Sequence, residues 1–310
     1  MKSVGGYFEL ECGKMPLYYK DGIYLNICRS AIRYLIRALG IKRIHVPAYT
    51  CYVVNDAIHA EGCETSRYSL DSNLMPTKEF PKEDFIIYNN YFGCIGEKVN
   101  ELAAIYPNLI VDNAQAFYSE PNCRAAIYSP RKFFGLPDGG ILRGKDIPML
   151  ELKQGYSFDV TSHLLKRHDY GAQAGYEDFC ANDVALEKYA LDSMSSLTMA
   201  LMGNIDYERV KKQRLENFLH IKECISTMFP ISMNSDDVPL VYPLLMENGD
   251  ELRAKLIQNK IFCARYWPNV LADADKYTIE YDLASNIVAI PIDQRYGVED
   301  MDRIIGIIKK

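Results

Sequence analysis

Short apolar runs rich in β-branched residues alternate with helical patterns through the first half of this 310-residue chain, and that alternation constrains the fold more than any other feature. Tyr24–Ile27 reads as a short strand. Ser30 opens an amphipathic helix with Ala31, Tyr34, Leu35, Ala38 and Leu39 on one side, and Gly40 ends it. Ile44–Val46 is a strand running into Pro47, Val53–Ala60 a short helix stopped at Gly62, and Ser66–Leu70 a further extended piece. Phe85–Tyr88 and Leu109–Val111 are β-rich runs bounded by turn residues, with a helix over Val99–Tyr106 between them. Strand–helix–strand repetition predicts an α/β fold with a mostly parallel central sheet flanked by helices.

The pattern changes beyond residue 125. Ala125–Tyr128 and Gly140–Leu142 read as short strands flanking the loop SPRKFFGLPDG. A largely helical region is expected from about Met149 to Met228, including an amphipathic stretch over Ala185–Met202 and a charged helix around Tyr207–Ile225. Pro230 breaks it. From Pro239 onward a smaller α/β unit is expected: strand LVYPLLM, helix Glu251–Asn259, strands at Ile261–Arg265 and IVAIPI, and helix Glu299–Ile308. The predicted division is a large domain over residues 1–205 and a small C-terminal α/β domain over 206–310.

Charge and cysteine usage exclude several classes. Lys and Arg total 35 against 41 Asp and Glu, a formal net charge of −6, so nothing global draws the chain to nucleic acid or to an anionic membrane. No apolar run is long enough to span a bilayer, and MKSVGGYFELE lacks the apolar core of a signal peptide. Nine cysteines, an odd number at irregular spacing with no CxxC pair, read as reduced thiols and not as a disulfide framework or a zinc site. A cytoplasmic protein without a bound metal is the expectation. There is no GxGxxG after a strand and no GxxxxGK[ST], which disfavours a nucleotide-dependent enzyme.

In parallel α/β sheets, ligands sit beyond the carboxyl ends of the strands. Three such ends here carry unusual polar chemistry. FIIY leads into Asn89, Asn90, Tyr91 and Phe92; LIV leads into Asp112, Asn113, Ala114 and Gln115; AAIY leads into Ser129, Arg131 and Lys132. A carboxylate straight after a buried strand is costly to desolvate and calls for a positive partner. Read alone, Asp112 serves a cap as well as a catalytic group. Lys132 alone is an ordinary loop lysine unless its neighbours, the Phe133-Phe134 pair among them, bury it and lower its pKa. Gly139-Gly140 lets backbone approach closely.

Together, VDNAQA and SPRKFFGLPDGG, with Lys132 lying 20 residues beyond Asp112, resemble the core of the DegT/DnrJ/EryC1/StrS aminotransferase family. Its members are fold-type I pyridoxal-phosphate enzymes, mostly sugar aminotransferases. NICRSAIRYLIRALG resembles the family's first helix, IHVPAYTCYVVNDAIHAEGC its P-x-x-T segment, YALDSMSSLTMAL its Met-Ser region, and VAIPIDQRYGVEDMDRIIGII its C-terminal segment. The order of these pieces covers nearly the whole chain. It departs from the family in having Asp138 where Glu is usual, a shorter loop between Ser129 and Lys132, and Cys51 where an aromatic usually faces the cofactor ring.

The resemblance implies pyridoxal 5'-phosphate as cofactor and a homodimer with small-molecule substrates. It implies a transfer of an amino group from an amino-acid donor, glutamate by expectation, to a keto-sugar or related small carbonyl compound. Synthesis of cell-surface or antibiotic sugars is typical of the family. Lys132 takes the role of Schiff-base lysine and proton carrier, and Asp112 that of partner to the ring nitrogen. Gln115 falls at the position beside the ring oxygen. Arg29, Ser30 and Ala31, at the start of the first helix, suit the phosphate, with Ser129 as a second phosphate residue. Cys51, Tyr52 and Asn90 complete the cofactor set, with the residue that stacks on the ring left open. Tyr266, Trp267, Gln294 and Arg295 are candidates to reach the substrate, and Arg295 or Arg265 to hold a donor carboxylate. Residues 166–182 are the candidate segment for crossing to the second subunit. The alternative is a non-catalytic ligand-binding or regulatory protein on the same scaffold.

Overall fold

The computed structural model describes residues 4–310; residues 1–3, the first residues of the segment weighed above as a leader, lie outside the described residues. Among the described residues, eleven strands and eleven α-helices run in chain order. The strands are β1 (Ile23–Leu25), β2 (Arg43–Pro47), β3 (Glu64–Tyr68), β4 (Phe85–Asn89), β5 (Leu109–Asn113), β6 (Ala125–Tyr128), β7 (Gly140–Gly144), β8 (Lys153–Gln154), β9 (Asp192–Ser193), β10 (Val241–Leu245) and β11 (Ile287–Pro291). The helices are α1 (Cys28–Leu39), α2 (Tyr52–His59), α3 (Gly96–Ile105), α4 (Ser162–Tyr170), α5 (Tyr176–Glu187), α6 (Ser196–Met202), α7 (Tyr207–Cys224), α8 (Gly249–Gln258), α9 (Pro268–Asp273), α10 (Ile279–Asn286) and α11 (Val298–Ile308).

Nine strands form one sheet in the order β3-β2-β4-β5-β6-β7-β1-β9-β8, and β10 and β11 form a separate antiparallel pair. From β3 to β6 every neighbour is parallel; β7 then runs antiparallel to both β6 and β1. The parallel strands are near-continuous apolar runs because both faces are covered. Ile86, Ile87, Ile110, Val111 and Ile127 are all buried. In register, Asn89 lies beside Asp112 and Asp112 beside Ile127, so the carboxyl ends of β4, β5 and β6 finish along one edge. The antiparallel β7 brings Gly140 against Leu25, which delivers the start of α1 to that same edge. A side chain at position 140 would run into the carbonyl of Ile27, so this approach requires glycine.

The structure corrects three sequence expectations. Ala185–Met202 is not one helix: α5 ends at Glu187, and Asp192–Ser193 is captured as β9 by pairing with Leu25 and with Lys153–Gln154. Asp and Ser compete with helix through local hydrogen bonds, and here a sheet edge was available. Helix then restarts where the Ser195 hydroxyl accepts from the Thr198 N–H at 3.0 Å. Ile261–Arg265 is not a strand. No strand pairs with it, and a side chain serves its backbone, as Arg253 Nε does for the Cys263 carbonyl at 2.9 Å. The region from Met149 onward is also less helical than expected, with β8 and irregular chain before α4.

One buried apolar cluster extends from Tyr19 to Ile305 and joins the large sheet to the C-terminal elements. Arg214 on α7 is buried at the same junction. It donates to the carbonyl of Leu240 at 3.0 Å and to Gln294 Oε1 at 3.0 Å, and its guanidinium lies over the Phe133 ring, 4.5 Å from the centroid. Gln294 in turn donates to the Phe133 carbonyl at 2.8 Å. The residue after Lys132 is thereby tied to the C-terminal part of the chain.

Asp237 carries a pH signature at this junction. Burial pushes its carboxyl up to about 6, against hydrogen bonds that favour the charged form, the Asn234 N–H at 2.7 Å among them. A folded-state value above the unfolded one means that the folded chain keeps a proton the unfolded chain has shed. Its contribution to stability is therefore present at the acid end and declines as pH rises from about 4 to about 6. Asp237→Asn is expected to flatten that decline, read as thermal midpoint against pH; an unchanged slope assigns the pH dependence elsewhere.

All nine cysteines are free: Cys63, Cys94, Cys123 and Cys263 are buried, and Cys180 and Cys224 are exposed. Among the described residues no helix is long and apolar enough to cross a membrane, and no cluster of His, Cys, Asp and Glu suits a metal ion.

Candidate active site

A cavity of about 280 Å³ opens at the carboxyl edge of the sheet. That is just below the usual range of about 300–1,000 Å³ for small-molecule sites. Its walls bring together Lys132, Asp112, Gln115, Arg29, Ser129, Cys51 and Tyr52. They also include residues that the sequence reading left out of the cofactor set: Asn89, Arg131 and Trp267, and Asp183, Leu186 and Glu187 from α5.

Asp112 is the one partly exposed residue of β5, and its Oδ1 accepts from the Ala114 N–H at 2.9 Å. Burial raises its pKa; Lys132 and that N–H work in the opposite direction. Lys132 follows from the single helical turn Pro130–Lys132 after β6. Its side chain is hemmed in by protein yet solvent-accessible, because the surface it exposes is cavity surface. Burial disfavours its charged form. Tyr266, Asp112, Cys51 and Cys28, when ionised, favour it and prevail, so its proton is held above the usual range. The tyrosine and both thiols are themselves pushed up by burial. Lysine and carboxylate line the same cavity, and each favours the charged form of the other.

Gln115 shows a specific vacancy in its bonding. Its Oε1 accepts from the Phe92 backbone N–H at 3.0 Å, which fixes the amide orientation, and its Nε2 is buried with no partner. The donor is placed by an unusual backbone: Phe92 sits at φ 58° and Gly93 at φ 68°. A Cβ at position 93 would come within 2.9 Å of the Val238 carbonyl and 3.0 Å of the Gln115 carbonyl. Asn89 likewise donates to Thr50 Oγ1 at 2.9 Å while its Oδ1 is buried without a partner. A buried polar atom left unpaired is costly, and on a cavity wall it marks a place for a ligand atom.

Three residues of the expected set lie off the walls. Ser30 is fully buried, and its hydroxyl donates to Asn26 Oδ1 at 2.8 Å. Ala31 is in the core. The cause is helical rotation: α1 begins at Cys28, two residues earlier than the sequence pattern placed it, so Cys28 and Arg29 face the cavity while the next two positions turn inward. Asn90 is the third. It donates to Asn113 Oδ1 at 3.1 Å and Ser119 Oγ at 3.2 Å, inside the protein. Strand alternation puts its neighbour Asn89 on the cavity side instead.

The aromatics on the wall are Tyr52 and Trp267. Tyr49 stands behind them, its ring edge-on to Trp267 at 5.0 Å and its hydroxyl donating to the Tyr266 carbonyl at 2.6 Å. Of the expected substrate residues, only Trp267 reaches the wall. Gln294 is engaged with Arg214 and Phe133, Arg295 pairs with Asp293 at 2.7 Å, and Arg265 pairs with Asp250.

The helix α5 closes one side. Tyr52 Oη donates to Glu187 Oε1 at 2.6 Å, a bond that helps push the phenol up to about 12, and Arg131 Nη2 pairs with Asp183 Oδ1 at 3.1 Å. The sequence reading marked the first part of α5 only as a segment for crossing to a second subunit; Asp183, Leu186 and Glu187 carried no signal, because the apolar residues of α5 lack a consistent helical face and their place on the wall comes from where the chain folds them. Tyr52→Phe is expected to weaken this closure by about 0.5–1.5 kcal/mol. Amide exchange over Tyr176–Glu187 should quicken while the core strands stay protected; unchanged exchange there shows that Tyr52 does not hold the helix.

No family model matches the chain, and no curated protein is a significant match. Solved structures do share its fold. The aminotransferase TlmJ from Streptoalloteichus hindustanus is 16% identical, with a TM-score of 0.63 over 93% of this chain and 85% of that one. A putative sugar aminotransferase from Streptococcus pneumoniae, in its apo form, is 13% identical with a TM-score of 0.63 over 93% and 85%. The same protein has also been solved in PMP and PLP forms. A DegT DnrJ EryC1 StrS aminotransferase from Brucella abortus is 17% identical, with a TM-score of 0.58 over 93% and 85%. At such identities the likeness is one of fold, and the architecture is that of fold-type I aminotransferases.

Proposed function

We propose that this chain, which has the fold of the sugar aminotransferases, is itself a pyridoxal-phosphate-dependent aminotransferase. It would move an amino group from an amino-acid donor such as glutamate to a keto-sugar or a related small carbonyl compound. The observation that carries the reading is the cavity at the strand ends, where an amine (Lys132), a partly buried carboxylate (Asp112) and a buried, unpartnered amide donor (Gln115 Nε2) converge.

The residues present fit the cofactor. Asp112, desolvated and without a hydrogen-bonded cation, suits a protonated ring nitrogen. Gln115 Nε2 suits the ring oxygen. The first turn of α1 has no side-chain cap, so its N–H groups, with Arg29 and Ser129 on the same wall, suit a phosphate. Trp267 and Tyr52 offer the aromatic surface that Cys51 lacks. Bound there, the cofactor supplies an electron sink for the bonds at the substrate carbon.

The chain's own part is proton handling and positioning. The Lys132 amine, which opens into the cavity, would hold the cofactor and would carry a proton between substrate atoms. Asp112 would hold the ring nitrogen, and its carboxylate would balance a proton there. Leu186 and α5 restrict water, which strengthens these interactions. We also infer a homodimer. Tyr156, Phe158, Leu165, Tyr170 and Tyr176 leave a run of large apolar side chains exposed around α4 and α5, which supports a contact with a second copy.

The test is an absorption spectrum of the purified protein with pyridoxal phosphate, before and after borohydride, followed by mapping of the modified peptide. A visible band lost on reduction, with the label on Lys132, is expected. A folded protein without the band would overturn the reading and turn attention to ligand binding without turnover.

A further inference from the structure

We propose that Arg131 is the seat for the α-carboxylate of the amino donor, and that Asp183 on α5 occupies that seat when no donor is bound. The inference rests on the aminotransferase reading and adds to it the residue that separates the donor from the acceptor.

An aminotransferase of this kind accepts an anionic amino acid and an uncharged carbonyl compound in one cavity. A fixed, unpaired cation suits the first and penalises the second, because a buried charge left without a partner is costly. Three cations line the cavity: Arg29, Arg131 and Lys132. Lys132 is the reacting amine. Arg29 lies at the first turn of α1, where the phosphate is proposed. Arg131 is the neighbour of Lys132 in the chain, and its Nε is buried with no partner while its Nη2 pairs with Asp183 at 3.1 Å. Arg265 and Arg295, the other arginines considered for a carboxylate, are paired outside the cavity.

The three anions on the wall divide just as clearly. Asp112 faces Lys132, and Glu187 accepts from Tyr52. Asp183 has Arg131 as its ion-pair partner, and its side chain is 52% exposed. A pair with one half-exposed partner contributes little to stability and exchanges readily. A donor carboxylate presents two oxygens to the fork of Arg131 and can also satisfy Nε. When the donor leaves as a keto acid, Asp183 returns, and the neutral acceptor meets a compensated arginine. The carboxylate of an amino acid is one bond from the carbon that surrenders the amine. Its seat therefore belongs beside the lysine that handles that carbon's proton.

The experiment compares L-glutamate with its α-amide, which lacks the α-carboxylate, in Arg131→Gln, Arg131→Lys and Asp183→Asn. Two readouts are used: the single-turnover rate of cofactor-loaded enzyme, and calorimetric binding to the cofactor-free protein. The native protein should favour the acid by at least about 10-fold, the worth of a charge-assisted hydrogen bond. Arg131→Gln should bring acid and amide to parity, and Arg131→Lys should restore part of the preference. Asp183→Asn should tighten binding of the acid and leave the amide where it was. A ratio of acid to amide in Arg131→Gln equal to that of the native protein overturns the proposal, as does equal loss of both ligands. If Lys132 gives no visible band with pyridoxal phosphate, the aminotransferase reading fails by itself, and calorimetry still decides the role of Arg131.

Discussion

Lys132→Arg is expected to give a folded protein that forms no visible band with pyridoxal phosphate and takes no borohydride label at residue 132. Lys132 opens into the cavity, so the longer side chain has room. A guanidinium stays protonated throughout the working pH range, so it offers neither a lone pair for a covalent bond nor a proton-accepting site. Loss of the proton-transfer role alone should lower amino transfer by about 10²–10⁴-fold. Near-native melting with no band assigns the chemistry to this lysine. A band that persists, with the label mapped elsewhere, sinks that assignment.

Asp112→Asn is expected to act in opposite directions on the cofactor-loaded and cofactor-free protein. The amide keeps the shape and can still accept from the Ala114 N–H, but it cannot balance a protonated ring nitrogen. Breaking a buried charge pair on one side costs about 3–5 kcal/mol, which is about 10²- to 4 × 10³-fold in cofactor affinity. The cofactor-free protein should gain stability. Burial raises the Asp112 pKa, so the folded chain holds a proton that the unfolded chain loses above the ordinary carboxylate value of about 4. The associated stability is full in acid and falls as pH rises through the shifted value. Asn removes that fall. Equilibrium binding of pyridoxal phosphate and thermal midpoints between pH 4 and 8 read the two effects. A variant that binds the cofactor as tightly as the native chain would remove Asp112 from the ring-nitrogen role.

Side-chain period and turn residues were enough to write most of the sheet. β4, β5 and β6 were legible as apolar runs because strands covered on both faces carry no polar alternation. The polar residues directly after them named the edge on which a ligand would sit. α1 was legible from its apolar stripe, and Gly40, at φ 64°, ends it as its position suggested. Lys132, Asp112 and Gln115 were each named from their place after a strand, and the cavity wall holds all three.

Tertiary structure decided what periodicity cannot encode. Which of two adjacent asparagines faces the cavity depends on where the strand stops, and β4 ends at Asn89. The phase of α1 depends on a start with no cap residue to mark it, so Ser30 and Ala31 turned inward and Cys28 and Arg29 did not. Asp192–Ser193 became a strand only because β1 and β8 lay within pairing distance. The clearest case is α5. Asp183, Leu186 and Glu187 are about 50 residues from Lys132 in sequence and carry no motif, yet the path of the chain folds them over the cavity. Local sequence sets how a segment twists and which face it buries. Contacts between distant segments are chosen by the packing of the whole chain, and the α5 side of this cavity is made of such contacts.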